Sequence, residues 1–117
     1  MQGQVFGSSY LIIILLGTCC TTITADTKWD TNGTYKISGY VNGRPYWMNA
    51  DRKYAFWHDG HTGPDSDWFF GFAENIGKDW QDRDSLMASN KDTTCPYHVT
   101  DWAPHHLEST RVFCGIV

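Results

Sequence analysis

All six tryptophans of this 117-residue chain follow position 25, and they are the residues with most to offer a ligand. Trp47 sits in RPYWMNA and Trp57 in YAFWHDG. An aromatic face accepts the apolar C–H side of a sugar ring, and nearby polar groups then fix its hydroxyls. Tyr40, Arg44, Asn49 and Asp59 are the polar candidates beside these two tryptophans. A glycan surface built from Trp47, Trp57, Tyr40, Arg44, Asn49 and Asp59 is the expectation, with Phe69 as a further aromatic. The competing expectation is that the same face is core. Leu86, Met87, Trp102, Leu107 and Phe113 need burial, and large exposed apolar patches are rare on monomers.

Other chemistries find little support in the spacing. His58 and His61 flank Asp59-Gly60, and His105-His106 are adjacent. Zinc takes histidine and carboxylate, yet the chain has neither HExxH nor CxxC. Adjacent histidines on a strand point to opposite faces, which separates the second pair. Asp59, Asp65 and Asp67 offer hard oxygens for calcium, without the order or closing Glu of an EF-hand. Gly60, Gly63 and Pro64 are explained by turning the chain. The expectation is no metal and no cofactor. No G-x-S-x-G elbow is present, and Asp82 and Asp84 sit in a polar stretch. Cys95 is a nucleophile only if it is not disulfide-bonded. The chain is therefore expected not to be an enzyme.

These residues must be positioned by strands. Asn42-Gly43 between two extended runs favours a two-residue type I′ hairpin, because both central residues need φ > 0. Residues 35–41 alternate, with Tyr35, Ile37, Gly39 and Val41 on one face. The turn then predicts Val41 opposite Arg44, Gly39 opposite Tyr46 and Ile37 opposite Met48. Asp51-Arg52-Lys53 suggests a second, three-residue hairpin loop. Pairing across it places Phe56 beside Met48 and Trp57 beside Trp47. A polar loop, residues 59–67, leads to a fourth strand at 68–73, with Trp68, Phe70 and Phe72 facing one way. Residues 85–89 are a fifth strand or a helical turn, and 107–117 suit a last strand. The fold expected is all-β: a small single-domain antiparallel meander of about five strands with an irregular, disulfide-pinned C-terminal half.

The apolar run YLIIILL at residues 10–16 is too short to span a bilayer, which needs about 20 residues. It suits the h-region of a secretory signal peptide, although no Lys or Arg precedes it. A signal anchor is the alternative. Cleavage after Ala25 would define residues 1–25 as signal and 26–117 as one secreted domain. Cys19 and Cys20 would be removed, leaving Cys95 and Cys114 to pair. That bond would stabilise by about 3 kcal/mol in the chain-entropy model. Asn32-Gly33-Thr34 is an N-glycosylation sequon. The net charge is −4 with both signs interspersed. No basic stripe exists to neutralise phosphates, which argues against nucleic acid and against anionic membrane.

The pieces ISGYVNGRPYWMN, YAFWHDG, DWFFGFAENIG and CPYHVTDW together resemble a small Trp-rich module of secreted and multidomain extracellular proteins of invertebrates. Its NGRPxY-type hairpin is followed by aromatic strands and a Cys-Pro…Trp segment. The resemblance covers about residues 35–102 and implies an extracellular setting. It brings no activity and no catalytic residues. The functional expectation is a secreted, non-enzymatic recognition module for an extracellular glycan or glycoprotein. A structural or protein-interaction domain without a small-molecule site is the alternative.

Overall fold

The computed structural model describes residues 19–79, 86–89, 93–100, 102 and 110–116. The apolar run at 10–16, Trp80, Asp82, Asp84, His105, His106 and Leu107 lie outside the described residues. Seven strands form one antiparallel sheet: β1 (Thr22–Asp26), β2 (Gly33–Val41), β3 (Arg44–Asn49), β4 (Tyr54–His58), β5 (Asp67–Phe72), β6 (Leu86–Ser89) and β7 (Arg111–Cys114). The order is β6-β5-β4-β3-β2-β1-β7. The first six strands are thus a meander, and β7 returns to pair with β1. Short 3-10 turns occupy Gly63–Asp65, Ala73–Asn75 and Pro96–His98. The architecture is all-β as the sequence suggested, with more strands than the five expected.

The added strand at the front is β1. Its sequence TITAD alternates, and Ile23 and Ala25 are fully buried. Ala25, the small residue before the expected cleavage site, is an inward-facing position of a strand. Cleavage after Ala25 would remove most of β1 from between β2 and β7. The cysteine pairing is corrected in the same way. Cys95 bonds Cys19, and Cys114 bonds Cys20, each with Cα atoms 5.7 Å apart. Cys95 and Cys114 do not pair with each other. Neighbouring residues in extended chain point in opposite directions, so Cys19 and Cys20 take different partners. Each bond closes a long loop, spanning 76 and 94 positions. The first alone restricts the unfolded chain by about 4 kcal/mol in the entropy model.

Register decides which side chains meet. Val41 opposes Arg44 and Gly39 opposes Tyr46, as the Asn-Gly turn predicts. A bulge between Ile37 and Gly39 then shifts the pairing, and Ile37 opposes Trp47 instead of Met48. A Cβ on Gly39 would stand 2.7–2.9 Å from the Tyr46 ring, so only glycine fits under that ring. The β3–β4 loop holds residues 50–53, one more than expected. Arg52 adopts φ 61°, and the Asn49 side chain accepts the Lys53 and Tyr54 amides. Trp47 therefore opposes Phe56, and Met48 opposes Ala55. This one-residue slip places Trp47 and Trp57 on opposite faces.

Both faces are apolar and both are covered. On one face Ile23, Ala25, Tyr35, Trp47, Phe56, Trp68 and Phe70 pack beneath Cys19, Cys95, Val99 and Trp102. Phe56 and Phe70 stack at 3.9 Å, with the Tyr35 and Trp102 rings edge-on against both. Burial pushes the Tyr35 phenol far above its ordinary range, with smaller contributions from Tyr54 and Asp51, and its hydroxyl donates to the Thr31 carbonyl. On the other face Met48, Ala55, Trp57 and Phe69 pack with Val41, Tyr46, Ala73 and Ile76. Indole N–H groups tie the covers to the sheet. Trp47 donates to the Cys20 carbonyl, Trp68 to Thr93 and Trp57 to Lys78, each at 3.0 Å.

Trp47→Ala should lower the stability of the oxidised protein by about 3–5 kcal/mol, as expected for a fully buried Trp. Tyr40, which is 73% exposed, should tolerate alanine with a change below about 1 kcal/mol. Urea midpoints at constant m-value give both numbers. Equal effects of the two substitutions would contradict this difference in burial.

Candidate functional site at the Asn42 hairpin tip

The sheet gathers its polar chemistry at one end. Asn42 and Gly43 adopt φ 53° and 82°, the left-handed pair that a type I′ turn requires. The Asn42 side-chain amide donates to the carbonyls of His58 at 3.0 Å and Gly77 at 3.3 Å. The first carbonyl belongs to the last residue of β4, where the 59–66 loop departs, and the second to the loop after the Ala73–Asn75 turn. Gly60 lies against the tip with φ +87°, and a Cβ there would stand 2.9 Å from the Asn42 Cβ. The hairpin tip thus clamps the loop bearing Asp59 and His61 beside the loop bearing Asp79.

His58 ends β4 and is fully buried, with its ring edge-on to Trp68 at 4.9 Å. Its Nε2 lies 2.9 Å from Ser66 Oγ, and its Nδ1 lies 3.6 Å from Asp59 Oδ1. Serine, histidine and aspartate therefore stand in triad order, a grouping that no sequence motif marked. The proton direction is wrong for nucleophilic catalysis. A triad needs Nδ1–H toward the carboxylate and a bare Nε2 to take the serine proton. In this site Nδ1 accepts the Gly60 amide at 2.9 Å, so Nε2 carries the proton and donates to Ser66. Ser66 is also fully buried. This arrangement closes the 59–66 loop onto the sheet.

Asp59 continues the network outward. Its side chain is fully buried. Oδ1 accepts the His61 amide at 2.9 Å, while Oδ2 is shielded from solvent and has no hydrogen-bond partner among the described residues. The His61 ring Nε2 lies 3.1 Å from Asp79 Oδ2, and both side chains are about half exposed. One ligand atom from each of Asp59, His61 and Asp79 falls within 4.8 Å of the other two. The sequence paired His61 with its neighbours in the loop. Asp79 is 18 positions away and carried no signal.

The glycan platform expected from the sequence is not assembled. Trp47 and Trp57 are 0% and 1% exposed and belong to different cores, and Phe69 is stacked against Trp57 in the interior. Arg44 is turned to the Thr93 carbonyl at 2.9 Å, holding the cover segment. Asn49 organises the β3–β4 loop at the opposite end of β3 from Arg44. Tyr40 alone of the six stands well exposed, next to Pro45 across the hairpin. Asn32 is exposed, with its Oδ1 accepting the Thr27 amide. No protein-family model, curated protein or solved structure matches the chain.

The hydrogen-bond directions around His58 can be read by long-range nitrogen–proton NMR. Nε2 should carry the proton, and Ser66 should resist a fluorophosphonate probe that labels activated serines. A protonated Nδ1, or labelling of Ser66, would contradict this wiring.

Proposed function

We propose that the chain is a secreted, non-enzymatic recognition domain whose partner is an extracellular protein. The observation that carries this reading is the burial of Trp47 and Trp57, which puts that pair out of reach of a sugar ring. Tyr40, Trp29 and Ile116 are the large apolar side chains left exposed among the described residues, and Tyr40 stands beside Pro45 on the β2–β3 hairpin. An exposed tyrosine held on a rigid hairpin is a common anchor of protein interfaces. Two disulfides fit an oxidising compartment, and among the described residues no helix is long and apolar enough to cross a membrane. The apolar run at 10–16 supports export, with processing upstream of Cys19 so that β1 and both disulfides survive. A glycan on Asn32 is compatible with its exposed position.

Binding of glycans remains the second reading, with Tyr40 and the partly exposed Trp29 as single stacking rings. The secreted protein, probed against arrays of glycans and of extracellular protein domains, separates the two. A protein ligand should be retained and weakened at least about tenfold by Tyr40→Ala, an ordinary loss for an anchor residue. Retention of a glycan that Tyr40→Ala abolishes, with no protein ligand, would overturn the proposal.

A further inference from the structure

We propose that Asp59, His61 and Asp79 form a binding site for a divalent transition-metal ion of the zinc type. This site is independent of the recognition surface at Tyr40. Three groups suited to the ion come from two loops and meet at the hairpin tip, with their ligand atoms within 4.8 Å of one another. Ligands about 2.0–2.2 Å from a tetrahedral ion stand roughly 3.4 Å apart. The His61 Nε2 to Asp79 Oδ2 separation of 3.1 Å is already close to that span.

The second observation is the Asp59 carboxylate. Its side chain is fully buried, and Oδ2 is shielded from solvent with no hydrogen-bond donor among the described residues. Leaving a buried carboxylate oxygen unsatisfied costs on the order of 1–3 kcal/mol or more. A cation coordinated by Oδ2 would remove that cost. Burial on the Asp59 side and half-exposure of His61 and Asp79 give the site a fixed wall and an open mouth. Imidazole among the ligands favours zinc-like ions over calcium or magnesium, which prefer all-oxygen shells. Three protein ligands leave a fourth position open, to water or to a donor from a partner. Bound there, the ion would cross-link the two loops that Asn42 already holds together.

The test uses the disulfide-intact protein stripped of metal by chelator. Zn2+ is titrated calorimetrically, and Co2+ serves as a visible probe of a tetrahedral nitrogen–oxygen site. One ion per chain should bind, with a rise in melting temperature. His61→Ala and Asp79→Asn alter half-exposed side chains and should leave the circular dichroism unchanged while weakening Zn2+ at least about tenfold. Asp59→Asn should weaken it too. Absence of saturable Zn2+ binding would overturn the proposal, as would binding that both His61→Ala and Asp79→Asn leave intact. Saturation by Ca2+ in preference to Zn2+ would also overturn it.

Discussion

A single sheet carries large aromatic side chains on both of its faces, and the rest of the molecule follows from that. Trp47, Phe56, Trp68 and Phe70 lie on one side, and Trp57 and Phe69 on the other. Exposing either set to water would cost on the order of 1.5–3 kcal/mol for each side chain. Both faces must be covered, and among the described residues the chain does so without a second sheet. It uses loop segments instead. Such segments bury little apolar area per residue, so they need further anchors. On the first face the anchors are Cys19–Cys95 and the indole bonds to Cys20 and Thr93. On the second they are the Trp57 bond to Lys78 and the Asn42 bond to Gly77. Trp47, Trp57 and Trp68 serve as core and as tether at once.

The Asn42-Gly43 turn links this packing to the polar end of the molecule. It sets the first register, and its side chain then reaches past its own hairpin to two loops. Those loops deliver Asp59, His61 and Asp79 to one place. The geometry of that place is therefore inherited from a backbone requirement, the positive φ of two successive residues. His58 contributes from beneath by accepting the Gly60 amide and donating to Ser66, which gives the loop a fixed floor.

Much of the sheet was legible in the sequence, because alternation and turn chemistry are local. The Asn-Gly hairpin, the strand around Trp57 and the split of Trp68 and Phe70 from Phe69 all came from period-two patterning. Three features were not legible, each for a physical reason. The bulge at Ser38 lies beside Gly39, over which the Tyr46 ring packs, and that is a cross-strand contact. The slip after β3 depends on Asn49 capping its own loop. β1 was hidden because Ile23-Thr24-Ala25 suits both a signal cleavage site and an alternating strand. The site fared worse than the fold: Asp59 and His61 drew notice in the chain, but their meeting with Asp79 depends on how the covering loop is folded.

The most direct test of the double-covered sheet is the covalent structure of the protein purified from culture medium. Amino-terminal sequencing and non-reducing peptide mapping should find a chain that retains Cys19 and Cys20, bonded as Cys19–Cys95 and Cys20–Cys114. A chain starting at Asp26 with Cys95 bonded to Cys114 would contradict the account, because β1 and the tether of the covering segment would then both be absent.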